Sequence, residues 1–352
     1  MRAWVFRSRG RPAQVLSLAT QLPRPTAASL GPHDVLVKVK YSALFQGTAM
    51  MMGQIPHFNN KPWVAEGTFS GIVEAVGSQV DHLHLQADDE VFGGLAPPVM
   101  LKYGGTLAEY IVVPDESVVR KPPNLSFEGA GGIASNAVTA YQFVQVAALQ
   151  QGSRVLITGA SSGTGSIVVQ AARAAVGNDG LVVGTCSAAN EELVKSLGVH
   201  EVIDYTKHAV LHSHLAEKYS AKPFDAIIDI VGGDWALYTQ SPAYLKPDGI
   251  FVFGGNMSIV HGGASFLSVL AWALSIRIAS RRPVILGGVP RKCLLHQGQI
   301  NLESLGKAAG LIAEGKLKPV IDSVYEMEDV LQGYEKLVSR RARGKVIVHV
   351  QD

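Results

Sequence analysis

Cysteine is almost absent: the 352-residue chain carries two, Cys186 and Cys293, far apart and in no ligand spacing. That pattern excludes a disulfide framework, argues against a thiolate zinc site and points to a reducing compartment, with a cytoplasmic location expected. Net charge is scarce as well. The 31 Lys and Arg nearly balance 29 Asp and Glu, leaving +2 spread along the chain. With no basic stripe and no charged tail, no nucleic-acid partner is expected. A membrane-length apolar run is also lacking, since "FLSVLAWALSIRIAS" from Phe266 is interrupted by Arg277 and followed by Arg281 and Arg282. The segment reads first as a buried or dimer-interface helix, and second as an interfacial helix giving a weak membrane-surface association. The N-terminal stretch "MRAWVFRSRGRPAQVLSL" lacks acids and carries Arg2, Arg7, Arg9 and Arg11. Its "AWVF" and "AQVLSL" predict two strands of a hairpin rather than a transit peptide.

What is present suits two domains with sizeable cores, at 47% hydrophobic residues. Up to about residue 125, short apolar runs punctuated by glycine and proline ("DVLVKVKYSAL", "SGIVEAVGS", "LAEYIVVP") predict a β-rich, barrel-like module. After the small-residue helical stretch "FEGAGGIASNAVTAYQFVQVAAL", strands are predicted at Arg154–Thr158, Leu181–Thr185, Glu201–Asp204, Asp225–Ile230 and Ile250–Phe253, with helices between them. That alternation is the signature of an α/β fold with a doubly wound parallel sheet. The expected domains are 1–127, 128–292 and 293–352, the last returning to the first module through "KPVIDSVYEM" and "GKVIVHV".

"RVLITGASSGTGSIVVQAARAA" combines a strand, a glycine-rich turn (Gly159, Ala160, Ser161, Ser162, Gly163, Thr164, Gly165) and a helix. Glycines let backbone amides approach a pyrophosphate, and the helix N-terminus adds unpaired N–H groups. Read alone, "TGASSGTG" suits a short-chain dehydrogenase. Such an enzyme also needs a Tyr-x-x-x-Lys pair, in which the lysine lowers the tyrosine pKa. Tyr205, Tyr219, Tyr238, Tyr244, Tyr325 and Tyr334 all lack that lysine, so the short-chain reading fails.

"DVLVKVKYSAL", "SGIVEAVGSQV", "GTLAEYIVVP", "NAVTAYQ", "VLITGASSGTGSIVVQAAR", "SLGVHEVIDY", "EGKLKPVIDSVYEMEDV" and "RARGKVIV" run through nearly the whole chain. In them it resembles the medium-chain dehydrogenase/reductase superfamily, in its zinc-free quinone oxidoreductase-like branch. The resemblance implies a GroES-like catalytic module, a Rossmann domain for NADP(H), and reduction of a small, apolar quinone or α,β-unsaturated carbonyl. It also implies a homodimer or a monomer. Zinc-dependent relatives place Cys and His where this chain has "SALFQGTAMMMG" and "AEGTFSG", so no metal is expected. His208 and His212, in "HAVLHSHL", form an i, i+4 pair without a completing ligand and are expected to face solvent.

At the end of the second Rossmann strand, "GTCSAAN" offers Cys186, Ser187 and Asn190 but no acid before Glu191. An acid there would serve NAD and repel the extra phosphate of NADP. By resemblance, Tyr205, Arg340 and Lys345 complete the adenosine-phosphate site, and the nicotinamide lies near Thr139, Val231, Gly232, Phe253, Gly254 and Asn256. Gln46 and Thr48 are the nearest polar residues where relatives carry an Asn, Asp or Tyr. Tyr41, Tyr103 and Asn136 are further candidates for proton donor or carbonyl partner. Two alternatives stay open: a trans-acting enoyl reductase of a polyketide-type pathway, and a non-catalytic, membrane-peripheral NADPH-binding protein.

Overall fold

The computed structural model describes residues 1–54, 61–81, 83–255, 266–339 and 341–352. Two compact units result: Met1–Val138 with Gln299–Asp352, and Thr139–Gly298. The first division falls inside the helix Phe127–Val146, and the second at 298/299.

In the first unit, β1 (Ala3–Phe6), β2 (Ser17–Ala19), β3 (Asp34–Leu44), β4 (Trp63–Val64), β5 (Thr68–Val76), β6 (Glu90–Gly94), β7 (Tyr110–Pro114) and β8 (Val118–Arg120) come early in the chain. The late strands β15 (Ile321–Glu326) and β16 (Lys345–His349) join them. β1 pairs antiparallel with β2 as expected, but Pro12–Val15 forms a helical turn, not strand. Proline suits a first helical turn because its missing N–H would be unpaired there anyway. The larger sheet runs β15-β16-β3-β5-β6-β8, with β7 also on β3. β3 is its hub: Val35, Val37 and Val39 enter the core with Phe69, Val73 and Val91, while Lys38 and Lys40 alternate outward. The C-terminal strand β16 closes onto β3 antiparallel, with Val346 opposite Leu44.

The second unit has a six-stranded, all-parallel sheet, from β9 (Arg154–Thr158), β10 (Leu181–Cys186), β11 (Glu201–Asp204), β12 (Phe224–Asp229) and β13 (Leu245–Phe253) to β14 (Lys292–Leu295). Their order, β11-β10-β9-β12-β13-β14, reverses between β9 and β12. Ligands of doubly wound sheets bind outside the strand ends at such a switch point. β14, "KCLL", was not expected, because four residues carry too little periodicity to be recognised. Of the buried or dimer-interface helix expected at Phe266–Ala279, burial within this chain is corrected: Ile276 is buried, but Leu267, Leu270, Leu274 and Ile278 are 74%, 50%, 56% and 59% exposed. Among the described residues, no helix is long and apolar enough to cross a membrane.

Candidate functional site

The glycine-rich turn follows the C-terminal end of β9 and leads into the helix Gly165–Val176. Gly159 adopts φ +64°, a left-handed conformation that glycine tolerates without strain. The turn is held by hydrogen bonds that its backbone amides donate. Gly159 N–H donates to Thr185 Oγ1 at 3.1 Å, Ala160 N–H to the Thr185 carbonyl at 2.9 Å, and Gly165 N–H to Ser162 Oγ at 2.9 Å. At Gly165 a Cβ would stand 2.0 Å from the Gly159 carbonyl oxygen, so only glycine lets the chain close this tightly. Ser161, Ser162, Gly163 and Thr164 are all partly accessible, whereas Ala160 is buried beneath them.

Parallel pairing of Cys186 with Asp204 brings the next two residues, Ser187 and Tyr205, to neighbouring strand ends. Asn190 reaches back from a 3-10 turn, donating from Nδ2 to Ser161 Oγ at 3.1 Å and to Ser187 Oγ at 3.5 Å. Its Oδ1 is buried with no partner in the described protein, so it can accept from a ligand hydroxyl. Glu191, the acid closest to this corner in sequence, is held by Lys195 at 2.6 Å. Tyr205 is half-exposed, and Lys207 follows it with its side chain largely in solvent. Cys186 is buried, and burial raises its thiol pKa to about 11, so it stays neutral. A dinucleotide's pyrophosphate fits the glycine cradle, and a ribose fits the Ser187–Asn190 corner.

One organiser of this rim escaped sequence reasoning. Asp229, buried at the end of β12, accepts from Thr158 Oγ1 at 2.5 Å and from Gly232 N–H at 3.0 Å, while Gly254 N–H donates to its carbonyl at 2.8 Å. Burial pushes its pKa up, and the Thr158 hydroxyl opposes that shift. Thr158 Oγ1 in turn accepts from the amides of Ile230 and Val231. The network thus sets the turns carrying Val231, Gly232 and Gly254, with Gly232 and Gly233 at positive φ. Phe253 lies beneath, buried and stacked on Trp235 at 5.6 Å, and Thr139 packs against Gly298. Asp229→Ala is expected to lower the unfolding free energy by about 2–4 kcal/mol in urea titration, because the Thr158 hydroxyl and the Gly232 amide lose their acceptor.

The first unit holds a second constellation. Glu66, fully buried, sits at φ +67° between β4 and β5. This sparsely populated conformation is over-determined by flanking bonds: Thr106 N–H donates to the Glu66 carbonyl at 3.0 Å, and Leu95 N–H to Gly67 at 2.7 Å. Tyr334 Oη donates a short hydrogen bond to Glu66 Oε1. Burial raises the Glu66 pKa to about 7, opposed by Tyr334, by the Thr48 hydroxyl, by the Phe45 amide and by the Lys345 cation. Lys345 is buried as well, its pKa lowered by burial to about 8 against the pull of Glu66, and its ammonium lies 5.4 Å from the Phe45 ring centre. Tyr334, desolvated beside the carboxyl, is pushed well above its ordinary value.

The structure therefore gathers Thr48 and Lys345, but around a glutamate that the sequence reading passed over within "AEGTFSG". A lone acid among small residues at a strand end was the available signal. Lys345, expected near the adenosine phosphate, lies in the first unit beside Glu66, and Arg340 and Asn256 lie outside the described residues. Gln46 begins the helix Gln46–Gln54, half-buried, and Asn136 is buried in the helix Phe127–Val146. Tyr41 belongs to another cavity, of about 290 Å³, where its ring packs 4.9 Å from His349 among Lys40, Glu128 and Asp352. Tyr103 donates to Asp34 at 3.0 Å. His208 precedes its helix and stacks on His214 at 3.8 Å, with His208, His212 and His214 all half-buried rather than facing solvent. Among the described residues no group of three or more His, Cys, Asp or Glu side chains is placed to hold a metal.

Residues 31–123 match the alcohol dehydrogenase GroES-like domain, and residues 197–348 the zinc-binding dehydrogenase family. The chain is 34% identical to a trans-enoyl reductase of Penicillium oxalicum, over 100% of this chain and 98% of that protein. It is 35% identical to a medium chain reductase of an Acremonium species, over 99% of both. Among solved structures, the quinone oxidoreductase from Coxiella burnetii superposes with a TM-score of 0.78 at 26% identity, covering 100% of this chain and 99% of that one.

Proposed function

The chain belongs to the medium-chain dehydrogenase/reductase superfamily as a quinone oxidoreductase-like member, an oxidoreductase with a nicotinamide cofactor, and from that premise we propose a zinc-independent, NADPH-dependent reductase of activated C=C bonds. Its substrate is an α,β-unsaturated carbonyl or a quinone. The trans-enoyl reductases among its relatives favour an enoyl group. The observation that carries the reading is the corner formed by Ser161, Ser187 and Asn190 above the glycine cradle, with neutral donors and an unpartnered acceptor where an acid would select NAD.

A bound nicotinamide supplies hydride for the β-carbon of the acceptor. The rest falls to the chain. The small, accessible residues Ser161 to Thr164 of the turn and the positive dipole end of the following helix hold the pyrophosphate. Ser187, Asn190 and Tyr205 surround the adenosine ribose phosphate, and Lys195 offsets the charge of Glu191, which would otherwise oppose that phosphate. Thr139, Val231 and Gly254 line the nicotinamide end. In the first unit Glu66, hydrogen-bonded by the Thr48 hydroxyl, can hold a proton near neutrality. The absence of cysteine before Cys186 supports the zinc-free assignment.

Fluorescence titration with NADPH and NADH tests the cofactor assignment, with at least tenfold tighter NADPH binding expected. Turnover of enoyl thioesters, enones and quinones then ranks the substrates, with activity surviving prolonged dialysis against a chelator. Equal affinity for both nucleotides would remove the corner's assigned role, and loss of turnover on chelation would remove the metal-free mechanism.

A further inference from the structure

At the opposite edge of the parallel sheet, where the strands begin, lies a cavity of about 450 Å³ lined by Arg154, His200, Glu201, Lys218, Tyr219 and Lys222, among others. Arg154 opens β9 and Glu201 opens β11, so this edge is at the other end of the strands from the phosphate turn after Thr158. Three cationic side chains face one carboxylate.

That carboxylate is already committed: Glu201 Oε2 accepts from Tyr219 Oη at 2.6 Å, and Oε1 from Lys218 Nζ at 2.9 Å. The adjacent Asp225 is likewise engaged, by Lys246 Nζ at 2.5 Å and by the Arg154 backbone amide at 2.8 Å. Among the described residues the Arg154 guanidinium makes no ion pair within 4 Å; its charge acts on Glu201 from further away, and its Cζ lies 5.9 Å over the Phe224 ring. One nitrogen, Nη2, donates to the Lys222 carbonyl at 3.0 Å, and its Nε is buried without a partner in the described protein. A buried donor left without an acceptor is costly, and a guanidinium fork suits phosphate or carboxylate oxygens. His200 Nδ1 accepts the Val182 amide at 2.9 Å. In the neutral ring this fixes the proton on Nε2 and makes that atom a donor. Partial desolvation, reinforced by Arg173, lowers its pKa.

We propose that this cavity is a second binding site, taking a compact multivalent anion with phosphate or carboxylate groups held by Arg154, Lys222 and the His200 Nε2–H, apart from the dinucleotide turn. Nothing in the proposed reduction uses these residues, so the site stands independently of that reading.

The test is an NMR titration of the His200 imidazole in the full-length protein with pyrophosphate and with citrate, against sodium chloride at matched ionic strength. Saturable displacement is expected with one or both anions and not with chloride. Affinity should fall at least tenfold in Arg154→Gln and in Lys222→Gln, each checked for an unchanged circular dichroism spectrum and unfolding midpoint. Response to pyrophosphate alone makes the ligand a phosphate compound; response to citrate alone makes it a polycarboxylate. A displacement no larger than with chloride overturns the proposal. So does binding of undiminished affinity in both variants, since it would then belong to the phosphate turn.

Discussion

Glu66→Leu is expected to cost about 3–5 kcal/mol of folding stability, because it removes the acceptor of the Tyr334 hydroxyl and leaves the buried Lys345 cation unpaired. Leucine would adopt the same φ +67° that glutamate already bears, so backbone strain does not distinguish the two. Glu66→Gln keeps an acceptor and should cost less. It also gives the sharper pH experiment. The folded-state pKa of Glu66, about 7, lies above its ordinary 4.5, so its stabilising contribution is complete below about 4.5 and is lost as pH rises to 7. Lys345 moves the other way, from 10.5 to about 8, and its contribution appears only as pH rises from 8 towards 10.5. The wild type should therefore show a local stability minimum between pH 7 and 8 in denaturant titrations. Glu66→Gln should abolish the falling limb between pH 4.5 and 7. An unchanged limb would mean that Glu66 ionises freely and that the cluster is not the buried pair described.

Gly163→Asp is expected to weaken NADPH binding at least a hundredfold with little change in the unfolding midpoint. The position is partly accessible in the turn, and its carbonyl accepts from Ser166 Oγ at 3.3 Å. A carboxylate placed there meets the pyrophosphate at the helix N-terminus, where the peptide dipoles favour a single anionic guest. Fluorescence titration of wild type and variant reads the change directly. Retained affinity would show that the cofactor does not use this turn.

The second unit was the more legible in the sequence. "RVLIT" occupies β9 as predicted, because a strand buried on both faces reads as an unbroken apolar run and its turn announces itself with glycine. β14 was missed for the same reason in reverse: four residues, two of them only half-buried, leave no period to detect. The turn Gly159–Gly165 was readable because the close approach of Gly165 to the Gly159 carbonyl demands small residues in consecutive order. Asp229 was not, since its partners Thr158, Gly232 and Gly254 come from three chain segments.

By itself the sequence determined the parallel sheet and the glycine-rich turn between β9 and the helix after it, both of which depend on local periodicity and on neighbours along the chain. Tertiary structure alone decided that Glu66, Thr48, Tyr334 and Lys345 share one buried cluster, that Tyr41 belongs to another cavity, and that Arg154 lacks an acceptor for its buried Nε. Burial and pairing between residues as distant as Glu66 and Tyr334 depend on which strands meet, and pairing across 268 positions leaves no periodic trace in the sequence.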